Sequence, residues 1–386
     1  MAFLFKRNPK SPAELVRAMN EQLSKLDSSN DRKKAQDETT RYLGNIKAIL
    51  TGNSDDLNGI IAESQPDQIA QLAHEIYSSD CLTLLIQNLP LIEFDSRKIV
   101  GLLFTSLLKR KIVNRSPTVD HLLQKPHILI LLMKGPENPE VSINLGSMLR
   151  EAIKYEQIAR YLLSEPVLWK YFDYCEYGSF ETSTEAFLTL SDLLTTHKSA
   201  ASDFFQLNCE EFVDRINRLI MSSNYVTKRQ SVKLLGQLIL DKPNYNLMTT
   251  YVNSPHNLKL IMILLGDKSK NIQLESFNVF KIFIANPRKS KAIIEILTKN
   301  RERLLQFLKV FSNERKDDEL FLVERNFVIE QIETLPKLVQ VQGVSENSLN
   351  QEASSKYAIT GKSSHFKAGL DNDALDNPNA VQSKKV

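Results

Sequence analysis

The sequence predicts an all-α protein, and three observations support this prediction. Apolar residues recur at spacings of three and four along almost every segment, which is the period of an amphipathic helix. Runs that alternate apolar and polar residues, as strands do, are few. Glycine is scarce, at 12 of 386 residues, whereas the turns of wound sheets and barrels usually need more of it. We therefore expect helices throughout the structured part of the chain.

The predicted long helices recur at a nearly constant step. Their apolar cores follow one another at about 42 to 48 residues, with shorter helices between them, and this is the period of armadillo and HEAT repeats. One such repeat cannot bury its apolar face alone, so we expect the repeats to stack into an armadillo/HEAT-like helical-repeat solenoid. The six cores are Ile99–Leu108, Ile143–Ile153, Ala186–Leu194, Val232–Leu240, Leu274–Ile284 and Leu322–Ile332.

The array is predicted to span residues 1–338. Ser11 and Pro12 mark the start of the first helix, and Gly52 marks the end of the second. Asp95 is a candidate N-cap for a helix that runs to about residue 112, and residues 53–63 are predicted to form an exposed loop. The remaining segment, 339–386, is rich in Ser, Asn, Asp and Lys, so we expect a disordered tail there.

Composition excludes several classes of partner. The net charge of +3 gives no strong attraction to nucleic acid, and no apolar run approaches the roughly 20 residues that insertion into a membrane needs. Three distant cysteines, Cys81, Cys175 and Cys209, fit buried free thiols in a reducing compartment. We therefore expect a cytoplasmic protein that does not bind nucleic acid and does not insert into a membrane.

No pattern for catalysis or for metal binding occurs. The six histidines show no His-Glu-x-x-His spacing, no Cys-x-x-Cys is present, and phosphate-binding glycine loops are lacking. The stretch that begins at Asp371 lacks the glycine and the later glutamate of a calcium loop. His121 and His127 flank a proline and are expected at the surface. We predict no enzyme activity, no cofactor, no metal and no small-molecule substrate.

One helix face is a candidate interface. Tyr225, Arg229 and Lys233 are four residues apart, so they share a face that differs from the leucine stripe of the same helix. Interface hot spots commonly combine aromatic residues with arginine. Gly236 lies near this face, where close packing by another backbone is one reason for a glycine.

At these positions and several others the chain resembles the calcium-binding protein 39 family, whose members are also called mouse-protein-25-like scaffolds. The resemblance covers about residues 1 to 336 and keeps the order of the stretches along the chain. The stretches are Phe3-Leu4-Phe5, Lys10-Ser11-Pro12, Ser116-Pro117-Thr118-Val119, Met148-Leu149-Arg150-Glu151, 224–235, Asn257-Leu258-Lys259-Leu260, Asp267-Lys268-Ser269, Asn271-Ile272-Gln273 and Ala285-Asn286-Pro287.

The resemblance implies a right-handed horseshoe of helical repeats without enzyme activity. Members of this family bind kinases or pseudokinases of the germinal-centre (sterile-twenty-like) class on the concave face and hold them in the active arrangement. The kinase-binding residues of the family match Phe180, Tyr225, Arg229 and Lys233 here. The resemblance to fungal-type members implies a role in polarised morphogenesis and cell separation, at sites of polarised growth or division.

The resemblance also implies a pocket for a Trp-Glu-Phe-type peptide from the tail of the kinase. The matching positions are Lys242, Tyr245, Lys259 and Met262. The family usually has arginine at the first of these positions and phenylalanine at the second. Lysine lacks the planar fork of arginine, so a weaker contact with a peptide carboxylate is expected.

Two other binding functions remain open at the level of sequence. An armadillo-type peptide carrier would show ladders of tryptophan and asparagine along its inner helices, but Trp169 is the single tryptophan of this chain. A helical-repeat RNA-binding protein would need a basic concave face with stacking aromatic residues, which the net charge disfavours.

Overall fold

A computed structural model of the chain describes residues 11–27, 31–52, 66–311 and 318–336. Within these ranges the protein is helical and has no β-strand; Ile112 and Arg115 form an isolated bridge. The predicted loop at 53–63 and the predicted tail at 339–386 lie outside the described residues, as does the Phe3-Leu4-Phe5 stretch. The all-α prediction is confirmed.

Nineteen α-helices occur in the described residues, with short 3-10 segments at Leu89–Leu91, Gly135–Glu137, Pro166–Trp169 and Lys242–Asn244. The helices are α1 (Pro12–Leu23), α2 (Arg32–Thr51), α3 (Pro66–Tyr77), α4 (Cys81–Gln87), α5 (Phe94–Lys109), α6 (Pro117–Gln124), α7 (His127–Met133), α8 (Ser142–Ile153), α9 (Glu156–Ser164), α10 (Lys170–Tyr177), α11 (Phe180–Thr195), α12 (Lys198–Ile220), α13 (Tyr225–Leu240), α14 (Tyr245–Val252), α15 (Pro255–Leu265), α16 (Lys270–Ala285), α17 (Lys291–Lys299), α18 (Arg301–Val310) and α19 (Glu319–Glu333).

The helix ends follow local capping chemistry. The Ser11 side chain accepts a hydrogen bond from the backbone N–H of Glu14, and Pro12 occupies the first helical position of α1. Gly52 follows α2 with a φ of 76°, a conformation that glycine adopts without steric cost. The predicted cap at Asp95 is wrong, because α5 already begins at Phe94 and places Asp95 inside its first turn, where a carboxylate stabilises the helix dipole.

The chain divides into two compact units at the boundary between Asn208 and Cys209. This boundary falls within α12, where Asn208 has the non-helical angles φ −125° and ψ 20°. The side-chain amide of Asn208 donates a hydrogen bond to the backbone oxygen of Phe204, at 3.0 Å, and so satisfies a carbonyl where the helix is interrupted. Each unit has its own apolar core.

Long helices pack in succession within each unit, as repeat stacking requires. In the first unit α2 packs on α5, α5 on α8, and α8 on α11; in the second unit α13 packs on α16, and α16 on α19. Each of the six apolar cores predicted from the sequence lies within one of these long helices. The helical-repeat architecture is thus confirmed within each unit, and the horseshoe shape of the whole array stays a prediction.

Candidate functional site

The row of Tyr225, Arg229 and Lys233 lies on one exposed face of α13, as the spacing predicts. The Asn224 side chain caps this helix and accepts hydrogen bonds from the backbone N–H groups of Val226 and Thr227. Tyr225 is 44% exposed, Lys233 is exposed and Arg229 is half-buried. The N-cap therefore fixes the start of the helix, and with it the direction of the row.

The Tyr225 hydroxyl is held by the neighbouring helix. The Asn271 amide of α16 donates a hydrogen bond to this hydroxyl at 3.3 Å. That bond is the main reason why the pKa of Tyr225 lies below its ordinary value, with smaller effects from Ser269 and Arg229. Asn271 of α16 thus fixes the position of the Tyr225 hydroxyl at the start of α13.

The positive charges on α13 differ in whether a carboxylate neutralises them. The Lys228 ammonium lies 3.5 Å from a carboxylate oxygen of Asp267. No ion pair to Arg229 or Lys233 occurs within the described parts of the chain, and the buried Nε of Arg229 has no hydrogen-bond acceptor there. An arginine in this state can bind a carboxylate or a carbonyl of a partner without first breaking an internal ion pair.

Phe180 belongs to the first unit. It is the first residue of α11 and is 65% exposed, while the Ser179 side chain caps the helix by accepting from the backbone N–H of Thr182. An exposed aromatic ring at a fixed helix start is suited to insertion into an apolar pocket of a partner. Joint action of Phe180 and the α13 row on one partner stays a prediction.

A cavity of about 560 Å³ lies in the second unit, between α14 and the end of α16. Its lining combines apolar side chains with asparagine and arginine. It is lined by Tyr245, Met248, Thr249, Val252, Asn253, Ile282, Ala285, Asn286, Pro287 and Arg288. A volume of this size accommodates one or two large side chains of a peptide.

Of the four residues assigned to the peptide pocket by resemblance, Tyr245 alone lines this cavity. Lys242 and Lys259 are exposed but do not line it, and Met262 is 2% exposed within α15. The structure thus brings Tyr245 together with the segment Asn286–Arg288, which residue-level reasoning did not connect to the pocket. The Asn-Pro sequence after α16 is the feature that could have indicated this part of the cavity, because it marks the end of a helix.

Hydrogen bonds hold the part of the cavity lining around Asn286 in place. The Asn286 side-chain oxygen accepts from the backbone N–H of Arg288 at 2.9 Å, and the Asn286 amide donates to Asn253 at 3.4 Å. The Lys289 ammonium donates to the backbone oxygen of Asn286 at 2.8 Å. The exposed Arg288 therefore lies at a hydrogen-bonded turn beside apolar lining residues, and this combination suits a hydrophobic side chain followed by a carboxylate.

The remaining titratable side chains include the cysteines and histidines singled out in the sequence. No group of three or more metal-ligating side chains occurs in the ranges that the structure describes. Cys81, Cys175 and Cys209 are buried and form no disulfide, as predicted, and burial raises the pKa of Cys81 to about 12, which keeps it a thiol. The prediction for His121 is wrong: it is 6% exposed, because it packs against the Tyr77 ring, whereas His127 is exposed.

The apolar helices of the described chain are too short or too polar to cross a membrane. The glycine of α13 also differs from expectation. A methyl group added at Gly236 would meet the Val279 side chain of α16 at 3.5 Å, which is an ordinary van der Waals contact. Close packing by another backbone is therefore not the reason for a glycine at this position.

Comparison with known families decides what these helices belong to. The model of the Mo25-like family matches residues 3–336 of the chain. This chain is a member of the Mo25-like family. The match covers every helix described above, so the α13 row and the cavity both lie inside the family's domain.

Relatives of this Mo25-like chain occur in animals and fungi. Calcium-binding protein 39-like of Mus musculus is 44% identical over 335 residues, which cover 86% of this chain and 98% of the relative. The Mo25-like protein of Schizosaccharomyces pombe is 42% identical over 335 residues, covering 87% and 100%. Protein HYM1 of Saccharomyces cerevisiae is 39% identical over 379 residues, covering 94% and 93%.

Proposed function

We propose that this Mo25-like chain is a non-catalytic scaffold that binds and activates a protein kinase or pseudokinase of the germinal-centre class. The main support is the α13 row, where Arg229 and Lys233 are not neutralised by any described acidic residue and Tyr225 is fixed by Asn271. Family membership makes a kinase the partner to test first. Phe180 provides a further contact in this proposal.

Activation follows from preferential binding. A kinase samples active and inactive positions of its regulatory helix, and a rigid surface that contacts the active position shifts the population by its differential affinity. A tenfold shift needs about 1.4 kcal/mol of difference, which one charge-assisted hydrogen bond from Arg229 can provide. In this proposal the scaffold therefore activates the kinase by binding alone and needs no catalytic group.

The cavity beside Tyr245 is the proposed site for the Trp-Glu-Phe-type tail peptide of the kinase. Its apolar lining residues would contact an aromatic side chain, and Arg288 would pair with a carboxylate of the peptide. Lys242, Lys259 and Met262 remain in the proposal as flanking or supporting residues. A second attachment raises the effective concentration of the kinase at the α13 row without new contacts there.

The names of fungal relatives suggest the biological setting. The conidiophore development protein hymA of Emericella nidulans is 36% identical over 367 residues, and its name refers to a morphogenetic process. The proposal accordingly includes a role in polarised morphogenesis and cell separation, with the protein in the cytoplasm and concentrated at sites of polarised growth.

The Arg229→Ala variant tests the α13 row. We expect it to lower activation of a purified germinal-centre-class kinase at least tenfold while binding through the kinase tail persists. Lys228→Ala is the matched control, because it removes the same charge on the same turn from a lysine that is already paired with Asp267. Equal activation by wild type and Arg229→Ala, measured by phosphate transfer to a peptide, would rule out this role of Arg229.

The Tyr245→Ala and Arg288→Ala variants test the cavity. Both side chains are exposed, so these changes leave the core intact, whereas a charged residue at the buried Met262 would disturb α15. We expect each variant to weaken binding of a fluorescent Trp-Glu-Phe-type peptide about tenfold in an anisotropy assay, with Lys299→Ala outside the cavity as control. Unchanged affinity in both variants would place the peptide site elsewhere.

A further inference from the structure

The last described helix, α19, exposes an apolar stripe. Leu320, Val323 and Phe327 follow one another at spacings of three and four, so they share a face, and they are 70%, 66% and 42% exposed. The opposite face is buried as well, through Phe321, Val328 and Ile332. An exposed apolar stripe of this kind marks a candidate interaction surface.

The charges beside the stripe indicate what kind of segment covers it. Glu319 precedes Val323 by four positions and Glu330 follows Phe327 by three, so both exposed carboxylates border the stripe. The single arginine of α19, Arg325, donates to the backbone oxygen of Phe311 at 2.9 Å. The open side of α19 therefore combines apolar and acidic character, and it fits a segment with apolar and basic residues.

A segment with this composition lies C-terminal to the last described residue. Residues 356–370 read KYAITGKSSHFKAGL, with three lysines and no acidic residue. Their large apolar residues are Tyr357, Ile359, Phe366 and Leu370. Acidic residues delimit the segment on both sides, at Glu352 and at Asp371. Its composition is thus the complement of the α19 stripe in both hydrophobicity and charge.

The connection is long enough for the segment to reach the stripe. About 20 residues separate Pro336 from Lys356, and a flexible linker of that length spans roughly 25 Å on average. The 15 residues of α19 extend over about 22 Å. A linker that matches the span gives an effective concentration in the millimolar range, so even a weak contact would be occupied most of the time.

We propose that residues 356–370 dock on the Leu320/Val323/Phe327 stripe of the same chain. The apolar side chains of the segment cover the stripe, and its lysines pair with Glu319 and Glu330. Ser363 and Ser364 lie between Lys362 and Lys367, so a phosphate on either serine would add negative charge next to these glutamates and release the segment. The stripe is thereby a docking site that charge on the tail can open. This contact does not depend on the proposed kinase-binding function.

A peptide competition experiment tests the docking. The probe is a fluorescein-labelled peptide of residues 356–370, and the proteins are the full chain and a chain that ends at Val344. We expect the shortened chain to bind the probe at least tenfold more tightly, because the full chain carries its own competing segment. No binding to the shortened chain, or equal binding to both proteins, would overturn the proposal.

Variants then locate the site and its charge dependence. In the shortened chain, Val323→Asp should weaken probe binding at least tenfold, while Val310→Asp should leave it unchanged, because Val310 is also 66% exposed but lies on α18 outside the stripe. A probe with phosphoserine at 363 and 364 should bind at least tenfold more weakly than the unmodified one. Equal effects of the two aspartate variants would refute the assignment. A dimer of the full chain that Val323→Asp dissociates, measured by light scattering, would instead assign the stripe to a second copy.

Discussion

The α8–α11 pair of the first unit and the α13–α16 pair of the second unit differ in how an arginine on the first helix is paired. Both are neighbouring long helices with a glycine in the first helix. In the first pair, the Arg150 guanidinium donates to Glu185, and a carboxylate oxygen of Asp192 lies 3.9 Å from its Nε. In the second pair, no described acidic residue pairs with Arg229.

The glycines explain part of the difference. A methyl group added at Gly146 would lie 2.9 Å from Cγ of Glu185, so the missing side chain makes the room in which Glu185 reaches Arg150. At Gly236 the neighbour is Val279 and no acidic side chain enters. An arginine that is neutralised within the fold stabilises the fold, whereas one that is left unpaired at the surface is available to a partner.

The largest effect is expected for Glu185→Ala. This change leaves Arg150, which is 23% exposed, with the more distant Asp192 alone, and it should lower the free energy of unfolding by about 2–3 kcal/mol. Urea denaturation followed by circular dichroism measures the loss. Glu181→Ala on the same helix is the control, because Glu181 is exposed. Equal stability of the two variants would remove the structural role that we assign to the Arg150 ion pair.

A smaller loss is expected for Gly146→Ala. The added methyl group overlaps with Glu185, which the ion pair with Arg150 holds in place, and overpacking of this kind costs about 1–2 kcal/mol. Combining Gly146→Ala with Glu185→Ala should cost less than the sum of the two single losses, because the clash is relieved. Strict additivity in denaturation experiments would show that the two residues do not share one space.

His121 of the first unit is buried, and its Nε2 atom has no hydrogen-bond partner among the described residues. Burial is the main reason why its pKa lies below the ordinary value, with Lys125 and His127 acting in the same direction and Asp80 against them. A histidine whose pKa is lowered by folding binds fewer protons when folded, so stability should fall as the pH drops through about 6.5 and below. We therefore expect a lower free energy of unfolding at pH 5.5 than at pH 7.5, measured by urea denaturation at the two pH values.

The matched variant for this pH effect is His121→Phe. The Nε2 atom of His121 has no hydrogen-bond partner among the described residues, so a phenylalanine ring can replace the imidazole beside Tyr77 without leaving a polar group unpaired. Its stability should depend less on pH over the same range. An unchanged pH profile in this variant would assign the effect to another group.

The smallest effect, and the only gain, is expected for Gly236→Ala. The methyl group makes an ordinary contact with Val279, and alanine is the better helix former, so stability should rise by about 0.5–1 kcal/mol. Thermal melting of the pair Gly146→Ala and Gly236→Ala then shows opposite signs for the same substitution in the two units. Destabilisation in both would mean that α13 and α16 also pack too closely for a methyl group.

Local features of the structure could be predicted from the sequence. The start of α1 at Ser11-Pro12, the end of α2 at Gly52 and the shared face of Tyr225, Arg229 and Lys233 depend on spacing and capping within a few residues. The period of helix recurrence likewise predicted which segments form the long helices.

Features that depend on residues distant in sequence could not be predicted. His121 is buried because Tyr77 packs on it from a helix about 40 residues earlier, and the cavity forms where α14 meets the end of α16. The contact that a methyl group at Gly236 would make depends on Val279, and the ion pair of Arg150 depends on Glu185. In each case the deciding neighbour lies one repeat away, beyond the range of helical periodicity.

The interruption of α12 at Asn208 has a consequence for synthesis on the ribosome. Helices in this chain pack mainly on neighbours that are close in sequence, and the boundary after Asn208 separates two sets of such contacts. Contacts of short sequence separation form quickly, and a growing chain gains them as each helix emerges. The first 208 residues therefore carry what they need to acquire structure while the second unit, with the α13 row and the cavity, is still being translated.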